Sequence, residues 1–132
     1  MSETNVQVIR DVYAAFNRGD ITAVMSLIDP NGSLVFEGPA SVPWTGTYNG
    51  ADGWGMFFQA VGMSLEGTTV EMEPFAAQGD RVVAAGRYRG KVKATGKAID
   101  SPLVHLWTLS GGKIVACVEM TNTAAEAVAC TA

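Results

Sequence analysis

The sequence has few of the residues from which metal sites and covalent nucleophiles are built. It contains one histidine, His105, and two cysteines. Cys117 and Cys130 form no CxxC motif, and one histidine with two distant thiols does not make a usual zinc site. We therefore expect both thiols to be packing residues, and we expect neither a metal nor a cofactor.

Motifs for a nucleophilic serine and for phosphate binding are also missing. No serine stands in a nucleophile elbow. The glycines at positions 50, 53 and 55 follow no long strand and precede no Walker lysine, so they do not form a phosphate-binding loop. What remains is acid–base chemistry from isolated side chains, or binding alone.

Positive charge and long apolar runs are scarce as well. Nine basic residues stand against thirteen acidic ones, and the net charge is −4. This balance argues against nucleic acid as a partner, because phosphate binding needs a basic surface. No apolar run approaches the ~20 residues of a membrane span, and the charged N-terminal segment does not read as a signal peptide. We expect no membrane association and a cytoplasmic location.

Apolar and aromatic residues, by contrast, are plentiful. Hydrophobic residues make up 48% of the chain, which includes three tryptophans, five phenylalanines and three tyrosines. A chain of 132 residues with this composition is long enough to bury a proper core without disulfides. We expect one domain over residues 1–132, with aromatic side chains available to line a pocket.

Helical spacing dominates the first part of the chain. Thr4 and Gln7 fit a capping box, and Gly19 fits the position after a helix end. Asp20 can cap a second helix that ends at Asp29-Pro30. The apolar face of the first helix consists of Val6, Ile9, Tyr13 and Phe16, and that of the second of Ile21, Val24, Met25 and Ile28.

The middle of the chain mixes a strand, a loop and a helix. Residues 32–38 predict a short strand, and the loop over residues 38–50 is rich in proline and glycine. A third helix is expected over about residues 51–61. Its glycines cost ~1 kcal/mol each relative to alanine, so tertiary packing must hold it.

After residue 67 the sequence pattern changes to one typical of strands. Long strands are predicted over residues 68–78, 81–94, 101–110 and 113–123, and Gly-containing turns join them as hairpins. A short helix over residues 123–129 follows. The predicted fold class is α+β, with helices on one face of a strongly curved antiparallel sheet.

Alternation along the last two strands assigns two faces. His105 shares a face with Leu103, Trp107 and Leu109, and on the next strand Glu119 shares one with Val115, Cys117 and Thr121. The opposite faces are also apolar, so either a partner subunit or local loops must cover them. The candidates for a dimer face are Val104, Leu106, Val118 and Met120.

Three segments together resemble a known family. They are VIRDVYAAFNRGDITAVMSLIDP, WTGTYNGADGWGMFF and HLWTLSGGKIV followed by VEMTNTA. In this order and spacing they are similar to the SnoaL-like polyketide cyclase branch of the nuclear-transport-factor-like superfamily, which includes ketosteroid isomerases and dehydratases. The resemblance implies a cone-shaped half-barrel of cystatin-like topology, an apolar cavity plugged by helices, and a homodimer through the outer sheet face.

The resemblance also points to candidate catalytic residues. His105 aligns with a catalytic aspartate of the cyclases, and Tyr88 aligns with their histidine, so the cyclase acid–base pair is not copied here. Glu37 lies roughly where the isomerases have their base, and alternation leaves open which face of its strand is the inner one. Glu119 can pair with His105 across neighbouring strands and raise its pKa.

Several large side chains are predicted to form the wall of the pocket. They are Tyr13, Trp44, Trp54, Phe57, Phe58, Trp107 and Cys117. A small apolar molecule is the expected partner. The expected function is a cyclase- or isomerase-type enzyme acting by acid–base chemistry on an apolar carbonyl compound. Two alternatives stay open: a noncatalytic ligand-binding or dimerisation module, and an interaction subunit of a larger enzyme.

Overall fold

A single curved sheet with helices packed against it makes up the structure, a computed structural model. It describes the backbone of residues 2–132 and the side chains of residues 3–73 and 76–132. The elements in chain order are α1 (Ser2–Asn17), α2 (Ile21–Ser26), β1 (Ile28–Phe36), β2 (Gly46–Asn49), α3 (Gly50–Ser64), β3 (Leu65–Gln78), β4 (Arg81–Val92), β5 (Ala98–Ser110), β6 (Lys113–Thr121) and α4 (Thr123–Cys130).

Helix α1 follows its predicted spacing but not its predicted start. Ile9 and Tyr13 are buried, while Val6 and Phe16 are half-buried against the core. The predicted capping box is wrong, because Thr4 lies inside the helix and the Gln7 side chain donates to Asp11 instead. The predicted end is confirmed. The amides of Gly19 and Asp20 donate back to the carbonyls of Phe16 and Ala15, with Gly19 at φ 75°, as in a Schellman motif.

Helix α2 is shorter than its apolar pattern predicts. Asp20 caps it as expected, accepting a hydrogen bond from the Ala23 amide at 3.0 Å. The helix ends at Ser26, however, and Ile28 opens strand β1. The Asp29-Pro30 pair therefore lies within β1 rather than ending a helix. Ile28 is apolar and buried, which suits the last turn of a helix as well as the start of a strand, so the apolar pattern does not distinguish the two.

A short strand occupies the end of the loop predicted over residues 38–50. Strand β2 pairs antiparallel with β1, and α3 begins immediately after it. Gly53 allows this tight junction, since a Cβ there would lie 2.9 Å from the Tyr48 carbonyl carbon. Helix α3 runs three residues beyond the predicted end, to Ser64.

The sheet has the order β2-β1-β6-β5-β4-β3. The four long predicted strands and their three hairpins are confirmed, and together they form β3 to β6. Strand β1 runs parallel to β6, so the sheet is mixed at that end. The α+β fold class with a curved, unclosed sheet is confirmed. In the described part of the chain, no helix is long and apolar enough to cross a membrane.

Predicted strand faces are largely confirmed. Leu103, His105, Trp107 and Leu109 are all buried on the inner face, as are Cys117 and Glu119. Val115 departs from the pattern, because a register shift after Thr108 pairs Ile114 with Leu109 and buries Ile114 instead. The outer face keeps Leu106 and Met120 exposed by 41% and 37%.

Candidate active site

An apolar cavity lies between the inner face of the sheet and the helices. Its walls come from α1, α2, α3, the loop before β2, and strands β1 and β3 to β6. The centre of a water-sized molecule can move through about 80 Å³ of it, whereas one water needs roughly 10–15 Å³ on this measure. The cavity therefore has room for a small organic molecule.

His105 and Glu119 form a hydrogen-bonded pair in this cavity wall. Strands β5 and β6 place the two residues directly opposite each other, with both side chains on the inner face. His105 Nε2 bonds to Glu119 Oε1. Both residues are more than nine-tenths buried, and both line the cavity. An imidazole and a carboxyl group are thus held together in surroundings that contain little else that is polar.

Tyr13 holds the other side of the His105 ring. Its hydroxyl lies 2.6 Å from His105 Nδ1 and accepts a hydrogen bond from Trp107 Nε1 at 3.0 Å. The indole can only donate, so Trp107 supplies one proton to the tyrosine oxygen, and the direction of the bond between that hydroxyl and Nδ1 depends on the imidazole tautomer. Both ring nitrogens of His105 are thus engaged, Nδ1 by Tyr13 and Nε2 by Glu119, and these two contacts fix the orientation of the ring.

A second buried carboxyl group, that of Glu126, lies behind Tyr88. Helix α4 places Glu126 where it is fully buried. Its carboxyl group accepts hydrogen bonds from the Tyr88 hydroxyl, the Thr121 hydroxyl and the Trp44 side chain. Burial raises the pKa of Glu126, and the charge of Glu119 adds to this, while the three hydrogen bonds oppose it.

Burial also favours the neutral forms of Tyr13, Tyr88 and Cys117 in the cavity wall. It is the largest cause of the raised pKa of Tyr13 and of Tyr88, and the Glu126 contact raises that of Tyr88 further. Burial also raises the pKa of the Cys117 thiol, as does the charge of Glu119. Cys117 is thus a protonated thiol rather than a nucleophilic thiolate.

Two buried polar atoms in the cavity wall, one oxygen and one nitrogen, are candidates for ligand contacts. Among the described residues, nothing forms a hydrogen bond with Glu119 Oε2 or with Trp54 Nε1, although both atoms are buried. A buried polar group without a partner costs roughly 1–3 kcal/mol. Such atoms in a cavity wall are where a ligand would make its polar contacts.

The predicted site residues fall into three groups. His105 and Glu119 are brought together, and all of the predicted pocket-wall residues line the cavity. Tyr88 also lines it, but its hydroxyl is engaged by Glu126. Glu37 is different: its backbone amide bonds to the Glu119 carbonyl at 3.0 Å, yet its side chain is exposed and lies outside the cavity wall. The neighbouring Leu34 and Phe36 take the inner face of β1.

Sequence reasoning missed Glu126 and the polar role of Tyr13. Glu126 is the one acid in the apolar segment TAAEAVA, and a lone acid in an apolar helix is a signal that could have marked it as buried. Tyr13 was predicted as wall only, because nothing in the periodicity of α1 shows that its hydroxyl reaches a strand 92 residues away. Within the described residues, no group of three potential ligands could hold a metal ion.

Comparison with known families places this site in context. The model of the SnoaL-like domain family matches residues 9–117. The chain belongs to this SnoaL-like family. The match spans α1 to β6 and includes His105, but ends before Glu119 and α4. A search of curated proteins found no match.

Solved structures share the fold of this SnoaL-like protein over nearly its whole length. An NTF2-like protein from Burkholderia thailandensis is 32% identical, with a TM-score of 0.88 over 97% of this chain and 98% of that one. An NTF2-like protein of unknown function from Burkholderia pseudomallei is 26% identical, with a TM-score of 0.91 over all of both chains. TerC, co-crystallised with polyporic acid, is 27% identical, with a TM-score of 0.87 over 96% of this chain and 98% of TerC.

Proposed function

We propose that this SnoaL-like protein binds a small apolar carbonyl compound and moves a proton at the carbon beside the carbonyl group. The observation that supports this most is the unpartnered Oε2 of Glu119. It belongs to a carboxyl group whose other oxygen is held by His105 in an apolar cavity. A general base needs such a free, oriented oxygen within reach of its substrate.

Each side chain has a separate role in this proposal. Glu119 Oε2 takes the proton from carbon, which leaves an enolate, and returns it to another carbon in an isomerisation. His105 is the positioning residue, because its Nε2–H bond holds Oε1 and directs Oε2 away from the ring. In this proposal Nδ1 accepts from the Tyr13 hydroxyl, which itself accepts from Trp107, so that the imidazole proton lies on Nε2. The apolar wall selects an apolar substrate and excludes water.

The co-crystal of TerC supports an organic ligand of this kind. TerC is 27% identical over nearly the whole chain, and it was crystallised with polyporic acid. A protein of the same fold has thus been co-crystallised with an organic molecule. For the present chain we propose the broader class, an apolar compound with a carbonyl group, on the basis of its own cavity.

Hydrogen–deuterium exchange tests the proposed chemistry directly. β-Tetralone, an apolar ketone with acidic hydrogens beside the carbonyl, is incubated with the protein in heavy water, and exchange is followed by NMR. We expect exchange above the protein-free rate. Glu119→Gln should lower the added rate by about 10²- to 10⁴-fold, since a general base contributes that much.

Glu37→Gln is the matched control, because it makes the same change at an exposed carboxylate outside the cavity wall. It should leave exchange unchanged. If β-tetralone binds but the wild-type protein adds nothing to its exchange rate, the proposed chemistry is wrong and the noncatalytic ligand-binding module is favoured. Equal loss in both variants would show that Glu119 has no special role.

We also propose that the outer face of the sheet packs against a second copy of the chain. Val83, Leu106 and Val118 lie in register across β4, β5 and β6, and Met120 extends this apolar surface beside them. Val83, Leu106 and Met120 are each exposed by more than a third. A contiguous exposed apolar patch on a sheet is typical of an interface.

A further inference from the structure

The proposed reaction leaves negative charge on the carbonyl oxygen, and that oxygen needs a hydrogen-bond donor in the cavity wall. Most donors there are already in use. In the proposed arrangement Tyr13 donates to His105 and His105 donates to Glu119, while Tyr88 donates to Glu126. These bonds hold the wall together and leave none of the three hydroxyl or imidazole protons for a ligand.

The three tryptophans differ in whether their indole N–H already has an acceptor within the described part of the protein. All three line the cavity. Trp107 donates its indole N–H to Tyr13, and Trp44 donates to Glu126. The indole N–H of Trp54 has no acceptor among the described residues, although the side chain is only 2% exposed. An indole N–H donates but never accepts, so its partner must be an acceptor.

The surrounding structure holds Trp54 firmly in place. It lies in the second turn of α3, and its ring packs against Phe58 with centroids 6.3 Å apart. The preceding residue, Gly53, lets the backbone of α3 touch β2 at Tyr48. A donor fixed by packing in this way needs no rearrangement to meet a ligand oxygen.

We propose that Trp54 donates its indole hydrogen bond to the carbonyl oxygen of the ligand, while Glu119 Oε2 faces the acidic hydrogen beside that carbonyl. The inference rests on the proposed function, and it names the residue that recognises the substrate's polar group. Trp54 keeps its proton throughout. The transferred proton moves from carbon to Glu119, and the electron pair left behind is delocalised onto the oxygen that Trp54 contacts.

The test compares β-tetralone with tetralin, a hydrocarbon of nearly the same shape that lacks the oxygen. The indole N–H signals of nitrogen-labelled protein are followed by NMR, and the Trp54 signal is assigned by its loss in Trp54→Phe. We expect β-tetralone to move the Trp54 signal downfield, and tetralin to leave it close to its starting position. The Trp107 and Trp44 signals should show no such difference between the two ligands, because their hydrogen bonds are made within the protein.

Binding constants provide a second measure. In Trp54→Phe the preference for β-tetralone over tetralin, expressed as the ratio of their Kd values, should fall by about three- to tenfold, the usual worth of one neutral hydrogen bond. Both ligands lose apolar contact when phenylalanine replaces the larger indole ring, and this loss cancels in the ratio of the two Kd values. Tyr48→Phe is the control, because it removes a hydrogen-bond donor from an aromatic ring outside the cavity wall, and it should keep the ratio. The NMR shifts are measured on the wild-type protein, and Trp54→Phe serves there only to assign the Trp54 signal.

The outcomes separate this inference from the proposed function. If both ligands bind and move the Trp54 signal equally, or if Trp54→Phe keeps the wild-type ratio, the assignment of Trp54 is overturned while the exchange chemistry of Glu119 can still stand. If neither β-tetralone nor tetralin binds, the proposal of an apolar carbonyl substrate fails, and the inference about Trp54 fails with it.

Discussion

Glu126 shows how one side chain can link a peripheral helix to the wall of the cavity. It lies near the end of the chain in α4, yet its carboxyl group collects hydrogen bonds from β4, from β6 and from the loop before β2. Among the described residues, no cation forms a salt bridge with it. Its charged form is therefore supported by hydrogen bonds alone, and burial outweighs them.

The raised pKa of Glu126 predicts a dependence of stability on pH. Since the folded protein binds this proton more tightly than the unfolded chain, its contribution to the free energy of unfolding is full below the ordinary value of 4.5 and is lost as pH rises through the folded pKa. Glu126→Gln cannot ionise. We expect the wild-type stability minus that of Glu126→Gln to fall as pH rises above 4.5, measured by urea unfolding.

Glu37→Gln controls for the change in net charge, because it removes one acid at an exposed position. The pH profile of Glu126→Gln is read against that of this control. A difference that instead grows with pH would mean that the three hydrogen bonds stabilise the anion more than burial penalises it. The side chain would then be an ordinary ionised carboxylate.

At the scale of the elements, the hairpin of β3 and β4 depends on a close approach of two backbones. Gly86 pairs with Met72 next to a shift in register. A Cβ at Gly86 would lie 1.8 Å from the Glu71 carbonyl oxygen, and the neighbouring contacts are also backbone atoms. The strands can therefore meet at this point only if the residue has no side chain.

Replacing this glycine should separate the strands. Gly86→Ala is expected to lower the free energy of unfolding by about 1–3 kcal/mol, because backbone has to move to relieve the clash. Gly55→Ala is the matched control: Gly55 is exposed in α3 with open space around it, and alanine there should stabilise the protein by about 0.5–1 kcal/mol. Urea unfolding measures both variants. Similar values for the two would contradict the close approach at Gly86.

At the scale of the whole molecule, the exposed outer face of the sheet predicts self-association. Leu106→Glu places a charge in the centre of this face, and we expect the variant to be monomeric under conditions where the wild type is a dimer. Light scattering coupled to size exclusion measures the mass. Met63→Glu is the control, since Met63 is 71% exposed on α3 and is not part of the apolar patch on β4, β5 and β6. A monomeric wild type would overturn the proposal of a dimer.

The spacing of residues along the sequence by itself determined most of the helices, strands and hairpins. Helical spacing marked the buried face of α1, and alternation placed His105 and Glu119 on inner faces. Turn glycines set the hairpins of β3 to β6, and the family resemblance is confirmed. These features depend on residues close in sequence or on a period of two or 3.6, which a sequence displays directly. Ile28 escaped prediction because a short apolar run suits a helix or a strand equally, and β2 escaped because its sequence, Gly-Thr-Tyr-Asn, has the composition of a loop.

Only the tertiary structure decided which polar atoms meet. Tyr13 joins His105, and Glu126 joins Tyr88, across 92 and 38 residues of sequence. The exposed side chain of Glu37 and the unpartnered atoms of Glu119 and Trp54 were equally invisible beforehand. Pairings of this kind follow from how the sheet curves around the helices, which brings distant residues within hydrogen-bonding distance. No periodicity in the chain encodes that distance, so the site emerges only when the elements pack.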